Sequence, residues 1–316
     1  ENPLTMAQST GVGLLALPPV FQRLKPDVVV TVGDRYETMA TTIAAAYMNI
    51  PVAHTMGGEV SGTIDESIRH AVTKFAHIHF PASKDAAERI IKLGEVPEFV
   101  FNVGCPRMDL VKAIIDQKPD LNGKELFREG VGAENINLDE PFLLVSQHPV
   151  TTEYGEGEKQ ITATLEACKS VNLPTVVLWP NSDAGSEDIS RGIRKWREFG
   201  NDQNMHFFKN LPIDVYVRLM KKCSCLVGNS SSGIREGAFL GTPVVNIGSR
   251  QDMRERGDNV LDVISSKEKI EITIRQQIAH GSYSHQPIYG DGTAGKNMAN
   301  ILHELKNVNV QKTITY

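Results

Sequence analysis

Residues 27–35 read DVVVTVGDR, a short β-branched run that ends in a glycine and two charges. A strand that is apolar along its whole length, rather than at alternate positions, is typical of a parallel sheet covered on both faces. Segments typical of helices and strands alternate after it as far as residue 116, where a polar stretch begins. This alternation predicts a doubly wound α/β domain, because parallel strands need a crossover between them.

The alternation restarts at residue 142 and continues to residue 280. With 316 residues, the chain has the length expected of two domains. We place the first domain at 1–125 and the second at 126–299, and we expect the terminal segment 300–316 to pack back on the first. Ligands of open α/β sheets bind beyond the carboxyl ends of the strands, so two such domains predict an interdomain cleft.

The composition is that of an ordinary globular protein, with 41% hydrophobic and 22% charged residues. A net charge of −5 argues against a nucleic-acid partner. The longest apolar run, 12–21, contains two prolines and is too short to cross a bilayer, so we expect no membrane partner. The 4 scattered cysteines fit neither a disulfide framework nor a zinc site. We therefore expect reduced thiols and a cytoplasmic location.

A serine-rich turn, GNSSSG at 228–233, lies between a predicted strand and a predicted helix. Small residues in that position let backbone N–H groups and hydroxyls surround a diphosphate at the helix N-terminus. Plain capping of the helix by Asn229 or Ser230 is the alternative, and the turn alone favours neither. Glu236, one helical turn further on, is expected to bind the ribose hydroxyls or else to be an exposed surface residue.

Two charged residues, Asp34 and Arg35, follow the first predicted strand. A carboxylate beside an arginine at the end of a buried strand is suited to proton transfer. The alternative is that Asp34 caps the next helix and that Arg35 is its surface partner.

A denser group of charges lies between residues 54 and 70. Glu59, Asp65 and Glu66 stand there beside Arg69 and His70. The acids are candidates for proton transfer. Alternatively, Asp65 and Glu66 offset the dipole of a helix whose solvated face carries Arg69 and His70.

In the second domain, His148 closes the first predicted strand, and Asn181 and Arg250 end later ones. An imidazole at this edge could move a proton or bind a phosphate oxygen, or it is simply a turn residue before proline. An arginine fork suits a pyrophosphate.

Six motifs resemble, in order and spacing, those of the hydrolysing UDP-N-acetylglucosamine 2-epimerases. They are GDR at 33–35, GGEVSGTIDESIRHAVTK at 57–74, QHPVTT at 147–152, PNSDAGS at 180–186, GNSSSGIRE at 228–236 and GTPVVNIGSRQ at 241–251. The resemblance implies a glycosyltransferase-B-like fold of two Rossmann-like domains, and a homo-dimer or homo-tetramer. It also implies conversion of a UDP-2-acetamido sugar to UDP and the C2-inverted free sugar, a first step towards sialic-type acids, without a cofactor.

By motif position, the resemblance also implies residue roles. Asp34 and Asp65 match the acids that handle protons during an elimination of UDP and the hydration that follows, Arg35 assists the leaving group, and His148 lies near the diphosphate or sugar. The residues matching contacts with the UDP-sugar are Asn181, Ser230, Ser231, Gly233, Glu236 and Arg250.

The chain departs from the family pattern at Met56, where relatives commonly carry a catalytic glutamate. Glu59 or Glu66 is expected to substitute for it. Because a thioether tolerates a methyl group better than a carboxylate does, we hypothesise a less polar substrate, such as a 4-acetamido-6-deoxy sugar of the legionaminic-acid type. A second departure is that the family has further βα units before the position of Asn2.

Three other functions fit parts of the pattern. A non-hydrolysing 2-epimerase would interconvert the UDP sugars without releasing UDP. A glycosyltransferase of the same fold would need an acceptor. A non-catalytic UDP-sugar-binding protein would bind without turnover.

Overall fold

The computed structural model describes residues 3–61, 64–129, 136–150, 152–181, 183, 185–201, 203–305 and 308–315. Its elements up to residue 117 are α1 (Pro3–Leu24), β1 (Val29–Val32), α2 (Tyr36–Tyr47), β2 (Val52–Thr55), α3 (Asp65–Phe75), β3 (Ile78–Phe80), α4 (Lys84–Lys92), a 3-10 helix (Pro97–Phe99) and α5 (Pro106–Gln117). After it come α6 (Gly123–Glu129), β4 (Leu143–Ser146), α7 (Gly157–Val171), β5 (Thr175–Leu178), α8 (Ser186–Glu198), β6 (Met205–Phe208), α9 (Ile213–Lys222), β7 (Cys225–Gly228), α10 (Ser231–Leu240), β8 (Val244–Ile247), β9 (Val260–Val263), α11 (Lys267–His280) and α12 (Ala294–Glu304).

Contacts divide the chain into two compact units. Unit 1 comprises Glu1–Leu110, Met253–Glu255 and Ile288–Tyr316, and unit 2 comprises Val111–Asp252 and Arg256–Pro287. The division therefore comes earlier than the break we expected after residue 125. One reason is that Glu125 of α6 accepts a hydrogen bond from Arg218 of α9, with Nη1 and Oε2 3.1 Å apart.

Unit 1 contains a parallel sheet in the order β1-β2-β3. On one face Phe21 of α1 joins a core with Val29 and Val52. On the other face Ala294 and Met298 of α12 join a second cluster, which includes β-strand residues Ala53, Ile78 and Phe80. α12 thus packs within unit 1; residues 306, 307 and 316 of the segment expected to do so lie outside the described residues.

Among the described residues, one helix, Leu4–Leu24, is long and apolar enough to cross a membrane by length and composition alone. The apolar run 12–21 did not indicate this, because the helix extends beyond that run on both sides. Phe21, with the partly buried Leu14 and Leu17, packs against the core of unit 1. That side of α1 is therefore covered by protein.

The mostly apolar segment 99–103, within the region of predicted strand–helix alternation, pairs only through one isolated bridge, between His79 and Val100. Pro97 opens a 3-10 helix directly before it, and Gly104 follows with a φ of 87°. Neither flank continues an extended strand, which explains why the apolar residues between them do not form a longer ladder.

Unit 2 is built on a parallel sheet in the order β6-β5-β4-β7-β8-β9. Its core contains Val145, Val177, Val227 and Val245, one from each of four neighbouring strands. Strand order reverses between β4 and β7, and the carboxyl ends of two such strands are where doubly wound sheets bind ligands. The prediction of two Rossmann-like parallel-sheet domains is confirmed.

Candidate active site

Asp34 lies two residues beyond β1, and its Oδ2 accepts a hydrogen bond from Nη2 of Arg69. The Asp34 side chain is 25% exposed, whereas that of Arg69 is only 2% exposed. Asp34 does not cap the next helix, because α2 has Arg35 at its N-cap position. The carboxylate is thus held by a buried cation and remains open to solvent.

Arg69 connects several groups of unit 1. Its Nη1 donates to the Glu59 carbonyl at 2.7 Å and its Nη2 lies 3.3 Å from the Ser61 hydroxyl, in addition to the bond with Asp34. The interpretation of Arg69 as part of a solvated helix face is therefore wrong. This side chain fixes the loop before α3 to the carboxylate after β1.

The Gly57-Gly58 turn brings the chain close to its neighbours. A Cβ at Gly57 would lie 2.9 Å from Nδ1 of His54, and one at Gly58 would lie 2.2 Å from the Ala86 carbonyl oxygen. His54 is fully buried, and its Nε2 lies 2.8 Å from the Gly33 carbonyl oxygen. Burial lowers the pKa of His54 to about 4, so the ring is neutral at pH 7 and donates from Nε2.

The other acids of this region differ in their surroundings. Glu59 is 4% exposed, and its Oε2 lies 3.4 Å from Nη2 of the buried Arg254. Glu66 accepts a hydrogen bond from the Ser61 backbone N–H at 2.9 Å. Asp65 is the first residue of α3 and is partly buried.

Arg35 and Met56 complete the predicted positions in unit 1. Arg35 is half-exposed, and its Nε donates to Glu37 at 3.3 Å, a surface ion pair within α2 and its N-cap rather than the expected partnership with a capping Asp34. Met56 has a φ of 62°, a left-handed conformation uncommon for a residue with a side chain. Its sulfur lies 3.8 Å from Sγ of the buried Cys105.

In unit 2, the amide of Asn229 fixes the loop that carries His148. Its Oδ1 accepts from the His148 backbone N–H at 2.7 Å, and its Nδ2 donates to the His148 carbonyl at 2.9 Å. This two-bond clamp joins the carboxyl ends of β4 and β7, the strands between which strand order reverses.

His148 is a neutral hydrogen-bond donor. Burial, and then the nearby Arg250, lower its pKa to about 4. The Asn181 backbone N–H donates to Nδ1 at 3.1 Å, so the ring proton is on Nε2. At neutral pH the ring therefore suits hydrogen bonding to a phosphate oxygen better than it suits proton abstraction.

The serine-rich turn forms the N-terminus of α10. Ser230 is the N-cap and accepts from the Ser232 backbone N–H at 3.4 Å, so the capping interpretation is realised. Capping leaves other N–H groups of the first turn oriented for an anion. A Cβ at Gly228 would lie 2.1 Å from the Ser146 carbonyl oxygen, and one at Gly233 would lie 2.9 Å from Val244. Glycine at these positions permits close strand and helix packing.

Arg250 lies near this turn, and Glu236 lies in α10, the helix that the turn begins. Arg250 places Nη1 3.3 Å from the Asn229 carbonyl oxygen and Nη2 3.4 Å from Oδ2 of Asp183. Asp183 also accepts from Nδ2 of Asn181 at 2.5 Å. Glu236 is 7% exposed, so its interpretation as an exposed surface residue is wrong.

A cavity of about 490 Å³ in unit 2 adjoins Asn229 on the side of β8 and β9. Its lining includes the carboxylates of Glu153, Asp252 and Asp262. Asp262 is paired with Arg256, but Glu153 and Asp252 would still repel a diphosphate, which favours the serine-rich turn as the phosphate site. Within the residues that the structure describes, no group of three or more His, Cys, Asp and Glu could hold a metal ion.

Within unit 1, Arg69 joins Asp34 to the segment that carries Glu59. Within unit 2, Asn229 and its neighbours join His148, Asn181 and Arg250 to the serine-rich turn. Two residues of the site were missed in the sequence: Arg254 was given no role, and Asn229 was considered only as a possible helix cap. The adjacency of Asn229 to the serines was a usable signal, but nothing near Arg254 in the sequence pointed to Glu59.

A model of the family described as UDP-N-acetylglucosamine 2-epimerase matches residues 1–303. The chain belongs to this family. The family predicted from the six motifs is thus confirmed, and the chain is an enzyme of the 2-epimerase type.

Two relatives of this epimerase have names that specify a substrate. A UDP-N,N′-diacetylbacillosamine 2-epimerase (hydrolyzing) of Legionella pneumophila is 36% identical over 298 residues, covering 94% of this chain and 76% of the relative. A GDP/UDP-N,N′-diacetylbacillosamine 2-epimerase (hydrolyzing) of Campylobacter jejuni is 34% identical over 264 residues, covering 83% of this chain and 66% of the relative.

Solved epimerase structures share the fold. The UDP-GlcNAc 2-epimerase of Neisseria meningitidis bound to UDP-GlcNAc has a TM-score of 0.81 and 20% identity, covering 95% of this chain and 82% of that one. The UDP-GlcNAc 2-epimerase of Methanocaldococcus jannaschii in complex with UDP-GlcNAc and UDP has a TM-score of 0.79 and 19% identity. The match covers 94% of this chain and 81% of that one. At this identity the likeness establishes the fold alone.

Proposed function

We propose that this epimerase converts a UDP-2-acetamido sugar to UDP and the free sugar inverted at C2. The observation that carries the proposal is the partly open Asp34 carboxylate held by buried Arg69, in a chain of the 2-epimerase family. A carboxylate oriented by a buried guanidinium is suited to take a proton in a defined direction.

The reaction begins with an anti elimination. A carboxylate takes the C2 proton, the C2–H electrons form the C1–C2 double bond, and the C1–O bond breaks so that UDP leaves with its electron pair. Water then bonds to C1 through its oxygen and loses one proton to solvent, so that a hydroxyl remains there, and a proton is delivered to C2 on the face opposite to the one from which the first proton left. We assign the two proton transfers at C2 to Asp34 and Asp65, both of which are only partly buried.

Glu59 has a different place in this scheme. Because its carboxylate is buried and paired with Arg254, it suits positioning of that arginine better than proton exchange with a sugar. The expectation that Glu59 replaces the glutamate missing at Met56 is therefore not part of the proposal.

The departing diphosphate needs stabilisation because a C2–H bond beside an acetal carbon is barely acidic. We assign this task to unit 2, where the N-terminus of α10 and the hydroxyls of Ser230 and Ser231 bind phosphate oxygens. His148 contributes its Nε2 proton and Arg250 its positive charge. Glu236 is assigned to the ribose.

We further propose that the sugar carries a second acetamido group at C4 and a methyl group at C6. Met56 is partly buried and its sulfur packs against the buried Cys105, so the side chain at this position is polarisable and apolar and suits a methyl group. The names of the Legionella and Campylobacter relatives specify diacetylbacillosamine, a sugar of that kind. A cytoplasmic location and a homo-oligomeric state remain predictions.

The substrate is tested by UDP release from UDP-N,N′-diacetylbacillosamine and from UDP-N-acetylglucosamine. We expect kcat/KM to favour the diacetylated sugar by about tenfold or more, the range expected when an apolar site accepts a methyl group. Met56→Leu should keep this preference and Met56→Glu should lose it. Equal or better turnover of UDP-N-acetylglucosamine by the unmodified protein would refute the substrate proposal.

The same assay separates the alternatives. A non-hydrolysing 2-epimerase would return an epimeric UDP sugar without free UDP, and a glycosyltransferase would release UDP quickly only after an acceptor is added. Tight binding without any conversion would identify a UDP-sugar-binding protein.

A further inference from the structure

A chain of hydroxyl groups lies beside the serine-rich turn of unit 2. The Tyr216 hydroxyl, from the first half of α9, lies 2.6 Å from Oγ of Ser232, which in turn lies 2.8 Å from Oγ of Ser230. The Tyr216 hydroxyl also interacts with the side chains of Ser146, at the carboxyl end of β4, and of Ser230 itself. Tyr216 is thus linked to the carboxyl end of β4 and to the turn that follows β7.

The protons of this chain can be counted. Each hydroxyl supplies one proton, and burial raises the pKa of Tyr216 to about 12, so its proton is present at neutral pH. The phenol can donate to Ser232, and Ser232 can then donate to Ser230. Ser230 already accepts from the Ser232 backbone N–H. With both of these donors directed at its oxygen, Ser230 has its own proton available for a group outside the chain.

We propose that Tyr216 is a positioning residue which, acting through Ser232, directs the Ser230 hydroxyl proton towards the bound diphosphate. This inference rests on the proposed function, which places the diphosphate at the serine-rich turn. Without the phenol proton, Ser232 has no donor from α9, and Ser230 can turn its proton inward to the Ser232 oxygen. A phosphate oxygen would then meet the lone pairs of Ser230 instead of its proton.

The inference is tested with Tyr216→Phe, which keeps the ring and removes only the hydroxyl. We expect the Kd for UDP, measured by calorimetry, to rise about tenfold, the size of one hydrogen bond to a charged group. The Kd for uridine, which has no phosphate, should stay within about twofold of the unmodified protein's. A merely structural loss would weaken the binding of both ligands.

A double-mutant cycle with Ser230→Ala tests the route of the effect. If Tyr216 acts through the Ser230 hydroxyl, Tyr216→Phe should cause no further loss of UDP affinity in the Ser230→Ala background. Tyr283→Phe is the matched control, since it removes a phenol that donates to Gln277 at 2.7 Å elsewhere in unit 2. It should leave the UDP affinity unchanged.

The outcomes separate this inference from the proposed function. Unchanged UDP affinity in Tyr216→Phe, an equal loss for uridine, or an additive loss in the Ser230→Ala background would each overturn the role of Tyr216. Failure of the unmodified protein to bind UDP or to release it from a UDP sugar would instead overturn the proposed function.

Discussion

Asp34→Asn is expected to lower kcat for UDP release by about 10³-fold, within the range lost when a general base is removed. The amide keeps the shape of the side chain and can still accept a hydrogen bond from Arg69, but it cannot take a proton from C2. Because the diphosphate is assigned to unit 2, the Kd for UDP should stay within about threefold of its original value. Initial rates and calorimetry measure the two quantities.

Asp27→Asn provides a matched control, because Asp27 lies just before the amino end of β1 and is exposed. This variant should retain normal kcat and KM. If Asp34→Asn kept a kcat within about tenfold of the original, the residue would not be the base that the proposal requires.

Arg69→Met is expected to lower the free energy of unfolding by about 3 kcal/mol, because removing one partner of a buried ion pair leaves the other polar groups unsatisfied. The Asp34 carboxylate, the Glu59 carbonyl and the Ser61 hydroxyl all lose their contact with the guanidinium. This corresponds to a fall in Tm of roughly 6–12 °C for a domain of this size. In the folded fraction, kcat should fall about 100-fold as Asp34 loses its orientation.

Arg107→Met is the control for this variant, since Arg107 is an exposed arginine of α5 in the same unit. Its Tm should change by no more than about 1 °C, as is usual for exposed charges. If Arg69→Met unfolded at the same temperature as Arg107→Met, the contacts of Arg69 with Asp34, Glu59 and Ser61 would not stabilise unit 1 as described above.

The parallel sheets could be predicted because each strand carries its own signal. The run 28–32 is β-branched at every position, and the segment 225–233 combines a short apolar run with a small-residue turn. Such patterns reflect the strand preference of β-branched residues and the backbone geometry of the turn, which are local properties. The expectation that β1 is covered on both faces is wrong, because Val30 and Val32 are 48% and 63% exposed. The segment 99–103 is also mostly apolar but pairs at one residue only, because pairing depends on its neighbours.

The candidate site was only partly predictable for the same reason. Asp34 and the serine-rich turn stand at the ends of predicted strands, and a fold-level rule points to such positions. Arg69 could equally have been a solvated residue of α3, and only the tertiary structure brings it to Asp34. The contact between Tyr216 and Ser232 likewise depends on how α9 packs beside α10, which no local pattern encodes.

The most direct test of the account is proton NMR of the epimerase with UDP-N,N′-diacetylbacillosamine in D₂O. Elimination removes the C2 hydrogen and hydration replaces it from solvent, so we predict release of UDP together with a C2-inverted free sugar that carries deuterium at C2. Recovery of free sugar with its original hydrogen and configuration at C2, or of an epimeric UDP sugar without free UDP, would contradict it.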